Sequence, residues 1–228
     1  MASVTSSAAA VLTASEFWYT ACYCEENVYM LCKKLSQSGI AIHNASDLFV
    51  VFISNAKKQV PLWCQKAGSS REDGIVIWDY HVICVQRKSS SEALVWDLDT
   101  TLGFPEAFSQ YVAKTFRPWL ELHPDFQRLY RVVAGPLFLK KFASDRRHMK
   151  TAEGSWIKQP PPYACICAQD GSTHNLEEYV RMSKETVMLN RASYEELSNL
   201  EPYGAVFTHK SLEDFFGART SIENLFKI

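Results

Sequence analysis

Two apolar stretches, Ile75 to Gln86 and Ala93 to Leu98, flank one short polar segment, Arg87 to Glu92. Their β-branched and aromatic content reads as two strands of an antiparallel hairpin. The midpoint of positions 81 and 97 is residue 89, inside the polar segment. A turn centred there sets His81 directly opposite Asp97, and by the same reckoning Asp79 opposite Asp99. Directly opposed Cβ atoms lie about 4.5–5.5 Å apart, within reach of an imidazole–carboxylate hydrogen bond. Three carboxylates and a histidine would then share one face of two otherwise apolar strands. Charges placed among Ile75, Val76, Ile77, Trp78, Val82 and Ile83 need partners, and a functional cluster supplies them.

The remaining pattern completes an α+β chain. From Cys24 onward, Val28, Leu31, Cys32 and Leu35 recur at helical spacing, with Lys33 and Lys34 near the end and Gly39 as a stop. Leu48 to Ser54 is almost wholly apolar and reads as a buried strand, and Val60 to Cys64, with Pro61, as an edge. Phe104 to Phe116 is expected to be helical, Arg128 to Val133 a strand, Leu137 to Phe142 and Leu176 to Met182 short helices. The stretch Thr151 to Pro162 reads as loop, Ala205 to Thr208 as a last strand, and Ser211 and Asp214 as caps of a final helical turn. A single catalytic domain over residues 15–220 is expected, with a disordered lead-in at 1–14 and a C-terminal extension at 221–228.

Composition narrows the function. With 47% hydrophobic residues there is material for one large core, and a formal charge of −1 with small basic clusters argues against nucleic acid. The stretch Met1 to Ala14 lacks the basic flank and apolar run of a secretory signal, and no run is long enough for a membrane span. Seven cysteines, an odd number, are therefore expected to be reduced thiols of a cytoplasmic protein.

Cys24 stands immediately before the helical pattern, where unpaired N–H groups and the dipole favour thiolate. Cys22 competes but lies further from the helix start. A thiol, a base (His81) and an orienting carboxylate (Asp97) make a nucleophilic triad. The chain order Cys, His, Asp, with the cysteine at a helix start and the others on strands, is that of papain-like and transglutaminase-like enzymes.

The segments Cys22-Tyr23-Cys24-Glu25-Glu26-Asn27, Phe52-Ile53-Ser54-Asn55, Trp78-Asp79-Tyr80-His81-Val82 and Asp97-Leu98-Asp99-Thr100 resemble those of the eukaryotic N-terminal glutamine amidohydrolases. So do Phe142-Ala143-Ser144-Asp145-Arg146, His148-Met149-Lys150 and Pro160-Pro161-Pro162-Tyr163. The resemblance covers Tyr19 to Phe216, with Ser183 to Pro202 longer than the family loop and Ser221 to Ile228 beyond its usual end. It implies a transglutaminase-like branch of the papain fold with a mostly antiparallel sheet. It also implies a Cys24, His81, Asp97 triad, no metal or cofactor, and action on protein N-termini upstream of arginylation and degradation.

A substrate beginning with free glutamine needs a carboxylate for its α-ammonium, for which Glu25, Asp79 and Asp99 are candidates. Tyr19 is a candidate second oxyanion donor, after the Cys24 N–H, and Trp78 a candidate pocket wall. A monomer in cytoplasm and nucleus is expected. A transglutaminase or protease would use the same triad. A zinc-binding interaction module is disfavoured, since Cys22-x-Cys24 and Cys165-x-Cys167 lack zinc-knuckle spacing. The triad also argues against a catalytically dead scaffold.

Overall fold

The computed structural model describes residues 13–88, 92–187, 197 and 203–217. Most of the expected lead-in, most of the Ser183 to Pro202 loop, the tip of the polar turn and the C-terminal extension lie outside the described residues. The first long element is helix α1 (Cys24–Gln37), whose Val28, Leu31, Cys32 and Leu35 are all buried, as the helical spacing requires.

Six strands form the main sheet: β1 (Leu48–Ser54), β4 (His81–Gln86), β5 (Leu94–Trp96), β6 (Glu106–Ala107), β7 (Leu129–Ala134) and β8 (Ala205–Phe207). Their order is β6-β5-β4-β1-β7-β8, and every neighbouring pair is antiparallel. Central β1 is buried along its whole length because both faces are covered. Val50 and Phe52 pack with Leu31 and Leu35 of α1 and with Leu137 and Phe138 of helix α3 (Gly135–Lys141). Phe49, Val51 and Ile53 face the other way, onto α2 (Phe108–Tyr111) and α5 (His209–Phe216). Burying each such side chain stabilises the fold by about 1.5–3 kcal/mol. A Cβ at position 135 would lie 2.8 Å from the Ala45 carbonyl oxygen and 2.9 Å from that of Leu48, so glycine is what lets α3 begin against β1.

Several expected elements differ. Ile75 to Gln86 is not one strand: β3 (Val76–Trp78) pairs with β2 (Val60–Leu62) in a separate two-stranded sheet, and β4 starts only at His81. β-Branched and aromatic residues lie on both sides of Asp79, so the chain's change of sheet at Asp79 and Tyr80 does not stand out from the strand-like composition. The helix expected from Phe104 starts at Phe108, because Glu106 and Ala107 are taken up as partners of β5; it continues as a π-helical turn, Val112–Phe116. Helix α4 is Leu176–Val180. At α5 the N-cap is Thr208, which accepts from the Ser211 N–H, while the Ser211 hydroxyl accepts from the Thr208 N–H. Ser211 thus takes part from inside the helix, and Asp214 lies further along it.

The strand pairing is also shifted. Cys84 faces Trp96 and Val85 faces Val95, which centres the pairing on residue 90 instead of 89. An even offset between paired positions preserves the faces, so His81 and Asp97 keep to one side of the sheet. Extended outward, this register would set His81 opposite Asp99. β5 ends at Trp96, however, and the chain turns there, with the Asp99 N–H donating to Asp97 Oδ1 at 2.9 Å.

Candidate active site

The backbone ahead of α1 is held in an unusual shape. Cys22 has φ +69°, in the left-handed region that non-glycine residues seldom occupy, and Tyr23 follows as N-cap. Asn27 reaches back and closes the loop, its side chain accepting from the Thr20 N–H and donating to the Thr20 carbonyl, both at 2.8 Å. The first turn is fixed from outside by a buried ion pair, with Arg146 Nη2 donating to Glu26 Oε2 at 2.9 Å and Nε to Oε1 at 3.0 Å. Cys24 opens the helix in a partly exposed position. β5 ends opposite Cys84, so Val82 has no partner on that side, and its backbone N–H is directed at the Cys24 sulfur.

His81, the residue before Val82, is fully buried. Its Nε2 is 3.0 Å from Asp97 Oδ1, while Nδ1 is buried with no hydrogen-bond partner. Trp78 stacks on the imidazole, with ring centroids 5.3 Å apart and planes 17° apart. Asp97 is held on its other side, where Oδ2 accepts from Tyr111 at 2.8 Å and from Gln65 Nε2 at 3.1 Å. Burial opposes the ionised form of Asp97, yet His81, the Asp99 N–H and Gln65 together hold its carboxyl below the ordinary range. Burial likewise opposes charge on His81, and the adjoining Asp97 outweighs it and raises the imidazole pKa.

Around Cys24 the charges are mostly negative. Glu25 is fully buried; its Oε2 accepts from the Tyr80 hydroxyl at 2.9 Å and lies 3.7 Å from Cys24 Sγ, and its Oε1 lies 3.4 Å from His148 Nε2. Asp99 accepts from the Tyr19 hydroxyl at 2.6 Å, and burial first, then Asp97, raise its pKa. The thiol therefore departs from the low pKa expected of a helix start. Burial, then Glu25, Asp99 and Asp79, push it well above an ordinary cysteine, and only the Val82 N–H works against them.

Other sequence expectations need correcting. Asp79 is not in a strand opposite Asp99: it is exposed, between β3 and β4, and accepts from the Tyr80 N–H. Glu25 is shut away from solvent and Asp99 nearly so, which leaves Asp79 as the exposed carboxylate of the three. Tyr19 has its proton engaged with Asp99 and is not a spare oxyanion donor. The pattern does not mark Tyr80, Tyr111, Gln65 and His148, since only tertiary contact reveals their roles. Tyr80, His148, Asn27 and Arg146 do fall inside the motifs that carry the family resemblance.

Among the described residues, one group has ligand atoms close enough for a metal: His81, Asp97 and Asp99, within 4.8 Å of one another. The hydrogen bonds just described account for this closeness. Neither Cys22 and Cys24 nor Cys165 and Cys167 belong to such a group among the described residues. A depression of about 680 Å³ adjoins the cluster, walled by Phe17, Trp18, Tyr19, Lys34, Lys66 and Leu98.

The family model described as N-terminal glutamine amidase matches residues 19–216. The protein N-terminal glutamine amidohydrolase of Arabidopsis thaliana is 54% identical over 228 aligned residues, covering 95% of this chain and 98% of the relative. The protein of the same name from Oryza sativa subsp. indica is 48% identical, covering 90% and 89%. That from Drosophila melanogaster is 44% identical, covering 74% and 80%. This chain belongs to the N-terminal glutamine amidase family.

Proposed function

We propose that this chain deamidates the side chain of N-terminal glutamine on proteins and peptides, with Cys24 as nucleophile, His81 as base and Asp97 as the residue that orients the base. One observation carries the mechanism: His81 gives Nε2 to Asp97 and keeps a buried Nδ1 free, while the next residue along, Val82, directs its N–H at the Cys24 sulfur. An imidazole anchored by one nitrogen and open at the other is equipped to shuttle a proton.

His81 Nδ1 takes the thiol proton as sulfur attacks the carboxamide carbon. The oxyanion is stabilised by the Cys24 N–H at the start of α1. His81 then returns the proton to the departing ammonia, leaving a thioester. Water, deprotonated by His81, attacks that thioester; glutamate is released and the thiol regains its proton. The names of the relatives support the substrate. Asp79 and Asp99 are the carboxylates that receive the α-ammonium, and the chain following the glutamine runs over exposed Trp18 and Tyr19. The Cys, His, Asp order and the helix-borne thiol support a papain- or transglutaminase-like site within one catalytic unit, residues 15–220.

The reading extends to a monomer of cytoplasm and nucleus acting upstream of arginylation. Seven free cysteines support a reducing compartment, and none of the described helices is long and apolar enough to cross a membrane. Ammonia release from three peptides differing only at the first position (Gln, Asn, acetyl-Gln) tests the function. Only the first is expected to react, and Cys24→Ala to abolish it. Turnover by a folded Cys24→Ala protein, or equal turnover of acetyl-Gln, would refute the reading. Amine incorporation in place of hydrolysis would identify a transglutaminase, and cleavage of the peptide chain a protease.

A further inference from the structure

Among the described residues, the mechanism above does not use a buried carboxyl group beside the nucleophile. Glu25 is fully shielded from solvent and sits next to the nucleophile in sequence. Its Oε2 is where the Cys24 thiol proton points, at 3.7 Å, and the same oxygen is fixed by the Tyr80 hydroxyl at 2.9 Å. Its Oε1 has no hydrogen bond, with His148 Nε2 3.4 Å away. A carboxylate this enclosed costs stability, and at the mouth of a nucleophilic site that cost calls for a use.

We propose, building on the function just described, that Glu25 is a positioning residue that keeps the thiol of Cys24 protonated while the site is empty, so that the α-ammonium of the substrate is what releases the nucleophile. The groups that act on the sulfur are Glu25 on its own helix, Asp79, Tyr80 and the Val82 N–H from the approach to and start of β4, and Asp99 beyond β5. Behind them His148, from the turn Arg147–Met149, faces Glu25, Tyr19 donates to Asp99, and Asp97 acts on Asp99 and pairs with His81. Lys66 acts on Asp99. Negative charge prevails, and it holds the thiol pKa up alongside burial. The α-nitrogen of glutamine is about four bonds from the carbon under attack. A unit positive charge roughly 6 Å from the sulfur, at an effective dielectric of about 20, raises the thiolate fraction by about a hundredfold. An acetylated or internal glutamine brings no such charge. Selectivity for free N-termini would then be expressed in kcat as well as in KM.

The test is a thiolate absorbance titration of the folded protein without substrate, with the Cys24→Ala curve subtracted. Wild type is expected to titrate above the ordinary thiol value of about 8.5. Glu25→Gln should titrate about one pH unit lower, with Glu25→Asp closer to wild type. Glu25→Gln should also shrink, by about tenfold, the kcat ratio between a peptide starting with Gln and its des-amino analogue, a split a purely structural role would not produce. A wild-type Cys24 that titrates at or below 8.5 overturns the proposal even if no variant folds, as does a folded Glu25→Gln whose curve overlays wild type. The titration needs no turnover, so its outcome is separate from whether the ammonia assay supports the function itself.

Discussion

Arg146 and Glu26, 120 residues apart, are joined by three hydrogen bonds, and the contact fixes the first turn of the helix that carries Cys24. Both are almost completely buried. Arg146→Leu would strand the Glu26 carboxylate in the interior, and breaking such a pair from one side costs about 3–5 kcal/mol. Urea denaturation of the variant should show that loss, and Glu26→Gln added to it should restore part of the stability. A loss under 1 kcal/mol would mean that water reaches Glu26.

Asp97→Asn should leave the fold in place and lower kcat by roughly 10³–10⁴-fold with a small change in KM. The amide can still be satisfied on its far side: Gln65 can rotate its unpartnered Oε1 toward it, and the Tyr111 hydroxyl can turn from donor to acceptor. What disappears is the negative charge that stabilises the imidazolium. Single-turnover ammonia release checks this, and near-normal kcat would detach Asp97 from the chemistry.

The pair also shapes stability against pH. Asp97 has a lowered folded pKa, so its contribution is present above the unfolded value of about 3.9 and is lost as pH falls through the folded one. His81 has a raised folded pKa, so its contribution is present below about 6.5 and is lost as pH rises through the folded value. Urea midpoints should therefore peak between these limits, and His81→Gln should flatten the alkaline side. Each of these shifts is driven by the charge of the other group, so both limbs should weaken together in Asp97→Asn.

Phe52→Ala should cost about 3–5 kcal/mol without altering the cluster at the strand ends. Phe52 is fully buried, stacked on Tyr179 with centroids 5.0 Å apart and edge-on to Phe138. Thermal denaturation together with kcat of the folded fraction separates the two effects.

Features with a local cause were legible in the sequence. α1 shows in the spacing of Val28, Leu31, Cys32 and Leu35, and β1 in its apolar run, whose limits Leu48 and Ser54 are those of the strand. The shared face of His81 and Asp97 could be read because it depends only on the parity of the offset, which the shifted register leaves intact. What escaped was set by tertiary packing. Nothing local tells that Ile77 and Ile83 belong to different sheets, that Glu25 is sealed in while Asp79 is open, or that Tyr111 reaches Asp97. The thiol pKa departs from the helix-start expectation for the same reason: a helix terminus is visible in sequence, the surrounding carboxylates are not.

The break at Asp79 and Tyr80 divides the support of one ring between two sheets. His81 is the first residue of the large sheet, and Trp78, on its ring, is the last of the small ribbon. One side of the imidazole is thus anchored in the main sheet, and the other touches a two-stranded ribbon that is itself rooted in the core through buried Val60 and Leu62. A substitution that shifts either sheet is therefore felt at the same ring, which ties the placement of His81 to the packing of both.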